Sequence, residues 1–143
     1  MDAAPAAIAT AAVFIWLGMV LAISFLEAPL KFRAPGVDVP IGLGIGRIVF
    51  RALNLTEITL ALIALAAVVV GRPTGPVAIL IAAILVILAG QLIGIRPHLN
   101  RRTDRVLAGQ HPPRSTLHLY YVGLEAAKVL TLATLGICLL AAV

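Results

Sequence analysis

The sequence predicts an all-α integral membrane protein, a four-helix bundle with both termini outside the cytoplasm (N-out/C-out). Three observations carry the prediction. Hydrophobic residues make up 62% of the chain and charged ones only 12%, and the mean hydropathy of +1.10 lies far from that of soluble domains. A hydrocarbon core of about 30 Å takes about 20 apolar residues per helical span, and four such stretches nearly exhaust the 143 residues. The basic residues fall between the stretches in an alternating pattern. One transmembrane domain, residues 1–143, leaves no room for a soluble catalytic domain, and backbone polar groups at membrane depth must be satisfied within helices.

The first span is expected from Ala6 to Pro29. MDAAPAA before it carries Asp2 but no Lys or Arg, so it lacks the basic segment of a cleavable signal and the span should be retained. The connection that follows contains APGVDVPIGLGIG, with Gly42, Gly44 and Gly46 around apolar residues. It lacks the lysine and the strand context of a phosphate loop, so close backbone packing or a re-entrant turn is expected there. The second span runs from Leu53 to Val70 and ends in GRPTG, a tight hairpin. The third runs from Pro76 to Ile95, with Pro97 expected to stop it, and a polar, basic connection through Pro112-Pro113 delays the fourth, Leu117 to Val143.

Charge orients the chain. Lys31, Arg33, Arg47 and Arg51 lie in or near the first connection, and Arg96, Arg101, Arg102, Arg105 and Arg114 in the third, whereas the second has only Arg72. The positive-inside rule puts the first and third connections in the cytoplasm, in a multi-pass protein of the cell inner membrane. Topology and anionic lipid headgroups account for the net charge of +5, so membrane lipids are expected partners and nucleic acid is not.

Polar side chains inside spans are costly and usually face the bundle interior or a wet cavity. Glu27 lies near the end of the first span, Asn54 and Glu57 near the start of the second, Gln91 near the end of the third, and Glu125 and Lys128 early in the fourth. All fall in the cytoplasmic half of the expected topology. At about 1.5 Å per residue, Glu57 and Gln91 sit roughly 6 Å and Glu125 roughly 12 Å inside the boundary, within reach of one another. His118, Tyr121, Glu125 and Lys128 form one stripe along the fourth helix, continued by Leu132 and Leu135, while Arg47, Arg51 and Asn54 share a face of the second. Glu27, Asn54, Glu57, Gln91, His118, Tyr121, Glu125 and Lys128 are therefore the candidate ligand-binding residues of a cytoplasm-facing polar pocket. A structural alternative reads Glu125 and Lys128 as mutually neutralising and Asn54 and Gln91 as contacts between helices.

Other chemistry has less support. His98, His111 and His118 lack helical pair spacing, so no metal or haem site is expected. Asp104, Ser115 and His118 have no nucleophile elbow. Cys138 reads as a small hydrophobe, Trp16 as mid-span packing, and NLT at Asn54 lies at membrane depth, where glycosylation does not occur.

Two resemblances add to this reading. Trp16-Leu17-Gly18, Ala28-Pro29, Phe32, the glycine-spaced run from Gly42 to Phe50, Pro97 with Arg101 and Arg102, and Leu117-His118 resemble the transmembrane protein 205-like family of four-helix membrane proteins. That resemblance implies a four-helix bundle and no particular activity. Arg47, Asn54 and Glu57 are spaced as in the membrane-associated proteins in eicosanoid and glutathione metabolism. The second resemblance implies a glutathione-binding set of Arg47, Asn54 and Glu57, with Arg105 or Arg114 stabilising a thiolate. The chain departs from that pattern at Gly46, where those proteins carry Glu, and at Arg51-Ala52, which is shifted by one position.

The resulting expectation is a non-enzymatic membrane protein that binds or passes a small polar species or cation, without a cofactor. A glutathione-dependent transferase or isomerase is the alternative, with glutathione as its cofactor. The third reading is a structural or assembly subunit, either as a homo-oligomer or with a membrane-complex partner.

Overall fold

A computed structural model describes residues 1–113 and 115–143. Arg114, assigned above to the third connection and to the thiolate role, lies outside the described residues. The described residues form four long helices, α1 (Ala3–Arg33), α2 (Val39–Val70), α3 (Gly75–Leu107) and α4 (Leu117–Ala142), and contain no strand. Each helix is long and apolar enough to cross a membrane. The fold is an all-α four-helix bundle, and the chain is a multi-pass membrane protein.

Residue size decides which helix lies at the centre. Ala6, Ala9, Ala12, Val13, Trp16 and Val20 recur every three or four positions along α1 and are buried. The three alanines let neighbouring backbones approach, as membrane bundles require in the absence of a hydrophobic drive between helices, while Trp16 fills the core farther along. Accordingly α1 packs along α2 on one side and α4 on the other, and α3 lies against α4. Ala61, Ala64 and Val68 of α2, Ile81 and Ile84 of α3, and Leu132, Leu135 and Leu139 of α4 complete one core. Ile8, Leu62, Ile79, Val86, Leu130 and Ile137 face outward, as lipid-facing residues do.

The hairpin between α2 and α3 is as short as GRPTG implies. Arg72 takes a left-handed backbone conformation (φ 57°), and the Asp2 amide donates to the Gly71 carbonyl at 3.1 Å, docking the start of α1 on the turn. A side chain at Gly71 would collide with Met1 and Pro5, so glycine permits this close approach.

Two boundaries differ from the sequence reading. The glycine-rich stretch before Leu53 is neither re-entrant nor a turn. Asp38 caps α2 by accepting from the Ile41 amide at 3.0 Å, and the helix begins at Val39. The expected close packing is present, because Gly42 and Gly46 lie one turn apart beneath the end of α1, leaving room for the Phe32 ring and the Lys31 ammonium.

The second correction concerns Pro97, which does not stop α3. Widened turns of π type occupy Leu21–Glu27 in α1 and Gly90–Ile95 in α3, and each ends two residues before a proline, Pro29 or Pro97. The wider turn removes the clash between the proline ring and the carbonyl four residues earlier, so the helix continues to Arg33 in one case and Leu107 in the other. The basic sequence Arg96–Leu107 is therefore helical and folds over the start of α2.

Candidate functional site

Polar groups from all four helices meet in the core. Lys128 on α4 is fully buried (0% exposed) and donates to Glu57 Oε2 on α2 at 2.6 Å, with Glu125 Oε1 one turn away on α4 also at 2.6 Å. Glu57 Oε2 accepts a second bond, from the Trp16 indole on α1 at 2.7 Å. Gln91 Nε2 on α3 donates to Glu125 Oε1 at 2.7 Å, and Ser24 Oγ on α1 to Glu125 Oε2 at 2.5 Å. Charges at this depth persist only when paired and hydrogen-bonded, and these two carboxylates share one ammonium and three neutral donors.

The widened turns position two of those donors. Ser24 lies within Leu21–Glu27 and Gln91 within Gly90–Ile95, and both donate to Glu125. A π-type turn inserts a residue into the helical phase and re-aims the side chains it carries. Thus the elements that let the prolines be accommodated also turn α1 and α3 toward the same carboxylate.

Next to this cluster, toward the basic end of the bundle, lies a cavity of about 830 Å³. Glu125 belongs to both, since it lines the cavity while bound within the cluster. Four cationic side chains line the wall: Lys31 from α1, Arg47 from α2, and Arg96 and Arg102 from α3. Arg96 is held between two rings, its guanidinium carbon 4.7 Å from the Phe50 centroid and 4.4 Å from that of Tyr121. Those rings meet edge-to-face at 6.0 Å. Lys31 lies over Phe50 at 5.8 Å and near Glu27, 3.7 Å away, too far for a hydrogen bond.

The guanidinium donors are incompletely used. Arg47 pairs with Asp104 at 2.6 Å and reaches the Asn100 carbonyl at 3.4 Å, but its Nε is buried without an acceptor. Arg96 Nε and Nη2 and Arg102 Nε are likewise buried without acceptors among the described residues. All three arginines line one cavity, and each carries at least one covered guanidinium nitrogen without a partner among the described residues. Each such donor carries the cost of lost hydration, and the guanidinium groups that line the cavity suit charge-assisted bonds to an oxyanion.

The eight sequence candidates separate into groups. Glu57, Gln91, Glu125 and Lys128 come together in the buried cluster. His118, Tyr121 and Glu125 line the cavity, with His118 exposed and Tyr121 buried. Asn54 is buried one turn before Glu57, while Glu27 stands apart beside Lys31. Of the glutathione set Arg47, Asn54 and Glu57, only Arg47 lines the cavity. Arg105 instead donates to Gln110 at 3.2 Å. Among the described residues no group of His, Cys, Asp and Glu forms a metal site.

Sequence reading missed Trp16, Ser24, Phe50, Arg96 and Arg102. Trp16 carried a usable signal: a mid-span indole must find an acceptor for its N–H, and Glu57 is the acceptor it finds. No family model matches the chain, and neither does any curated protein or solved structure.

Proposed function

We propose that this multi-pass membrane protein binds a small polar ligand of anionic character in the cavity at its basic end, and that this end faces the cytoplasm across a cell inner membrane. The observation that carries the reading is the gathering of four cationic side chains, Lys31, Arg47, Arg96 and Arg102, from three helices around one cavity. A wall with four cationic side chains and the single carboxylate of Glu125 suits an anion better than a cation. The orientation rests on the positive-inside rule, since the opposite end carries only Arg72.

The buried cluster has a different role in this reading. Lys128 bridges Glu57 and Glu125, and the remaining donors tie α1, α2, α3 and α4 together at one level. It holds the bundle and forms the cavity floor through Glu125. Glutathione, with two carboxylates, belongs to the ligand class proposed, and Arg47 is the residue of its expected set that stands on the wall.

The test is thermal stabilisation of the purified protein in neutral detergent by a panel of organic phosphates, dicarboxylates, glutathione and quaternary amines. Anions raise the melting temperature of the parent protein and not that of Arg96→Gln or Arg102→Gln. Stabilisation by amines alone would overturn the reading.

A further inference from the structure

The cavity has two kinds of wall. Besides the arginines, the lining includes Phe25, Ala28 and Phe32 of α1 and Leu119 and Val122 of α4. Four of these, Phe25 and Phe32 at 42%, Leu119 at 69% and Val122 at 40%, are also exposed. In a membrane-spanning bundle exposed apolar side chains meet acyl chains, so exposed residues of α1 and α4 that also line the cavity fit a mouth between these helices. Ser24 and Glu125 bridge the two helices at the cavity floor. The opening is therefore lateral, with cationic donors inside and an apolar rim outside.

Volume points the same way. At about 830 Å³ the cavity falls within the range of pockets for whole organic ligands, roughly 300–1,000 Å³, and far exceeds the needs of a single inorganic anion. Arg96 lines the cavity, is fixed between Phe50 and Tyr121, and forms no ion pair with a carboxylate among the described residues. Planar guanidinium donors held in place match phosphate oxygens in pairs.

We infer that the ligand is a lipid with an anionic phosphate headgroup, which enters sideways between α1 and α4, places its phosphate against Arg96, Arg102 and Arg47, and leaves its acyl chains along Phe25, Leu119 and Val122. This inference rests on the anion-binding reading above and names its ligand class. It goes beyond general attraction of a basic surface to lipid headgroups, because it requires one lipid held in a cavity with a defined mouth.

The experiment reconstitutes the full chain in nanodiscs and counts retained lipids by native mass spectrometry, using phosphatidylglycerol, phosphatidylcholine and the soluble headgroup analogue glycerol phosphate. Phosphatidylglycerol is retained over phosphatidylcholine by roughly tenfold or more, the scale of one charge-assisted contact, and Arg96→Gln removes the preference. Leu119→Trp, on the apolar rim, lowers phosphatidylglycerol retention severalfold more than it lowers glycerol phosphate binding. Because Leu119 is exposed, this variant keeps the core intact, and an unchanged melting temperature verifies it. Equal binding of glycerol phosphate and phosphatidylglycerol, with no effect of Leu119→Trp, overturns the lipid assignment and leaves the anion site standing. Binding of neither in an Arg96-dependent way overturns both.

Discussion

Lys128 on α4 donates to Glu57 on α2 at 2.6 Å, and both side chains are almost wholly removed from solvent. Because Glu125 lies equally close to the same ammonium, removing Lys128 strands two carboxylates at once. Lys128→Met should lower stability by about 3–5 kcal/mol, the cost of an uncompensated buried charge, measured by denaturant titration in mixed micelles. Adding Glu57→Gln should restore part of that loss, giving a coupling energy that a pair without interaction would not show.

Trp16 is the only tryptophan in the chain and donates to Glu57. Trp16→Phe keeps the buried ring and deletes the donor, so it should cost about 1 kcal/mol, the typical net value of a hydrogen bond. In the parent protein, Glu57→Gln should shift the fluorescence emission of the single indole. An unchanged spectrum would mean that the two groups are not in contact.

Gly42 and Gly46 hold the end of α1 against the start of α2. A methyl group at Gly42 meets the Phe32 ring, whereas one at Gly46 meets the mobile tip of Lys31. Gly42→Ala is expected to destabilise by about 1 kcal/mol through overpacking, more than Gly46→Ala, and to lose its effect in a Phe32→Ala background. Melting temperatures of the three variants and the double variant decide the order.

Asp104 competes with any ligand for Arg47, which it engages at 2.6 Å. Asp104 is more than half exposed, so its pair with Arg47 contributes little to stability. Asp104→Asn should leave the melting temperature nearly unchanged while strengthening anion binding a few-fold. That sign is opposite to the arginine substitutions, and titration of an organic phosphate checks it.

Much of the fold was legible because the membrane imposes a simple code: span length, apolar composition and alternating basic connections give four helices from Ala6, Leu53, Pro76 and Leu117 onward. Their true extents were hidden by tertiary effects. Gly42 and Gly46 look like breakers until Phe32 and Lys31 fill the space above them, and Pro97 looks like a stop until the widened turn at Gly90–Ile95 accommodates it.

Within the site, Glu57, Gln91, Glu125 and Lys128 were readable because each is expensive in hydrocarbon. Ser24 was not, since a hydroxyl can bond its own helix and carries no such penalty. Arg96 and Arg102 resembled every other flanking arginine, because a topology signal and a ligand contact use the same residue. What distinguishes them is geometry alone: the rings around Arg96 and the absence of acceptors at their nitrogens.

The central claim is that the arginines of the cavity, and not the basic surface at large, hold a phosphate headgroup. Solid-state NMR measures it directly, as dipolar coupling between the phosphorus of bound phosphatidylglycerol and guanidinium nitrogens in the membrane-reconstituted protein. The expected result is coupling to Arg96 and Arg102, with the Arg102 coupling weakened in the Arg96→Gln variant. Coupling confined to the exposed Arg101 and Arg105, with none to Arg96, would contradict it.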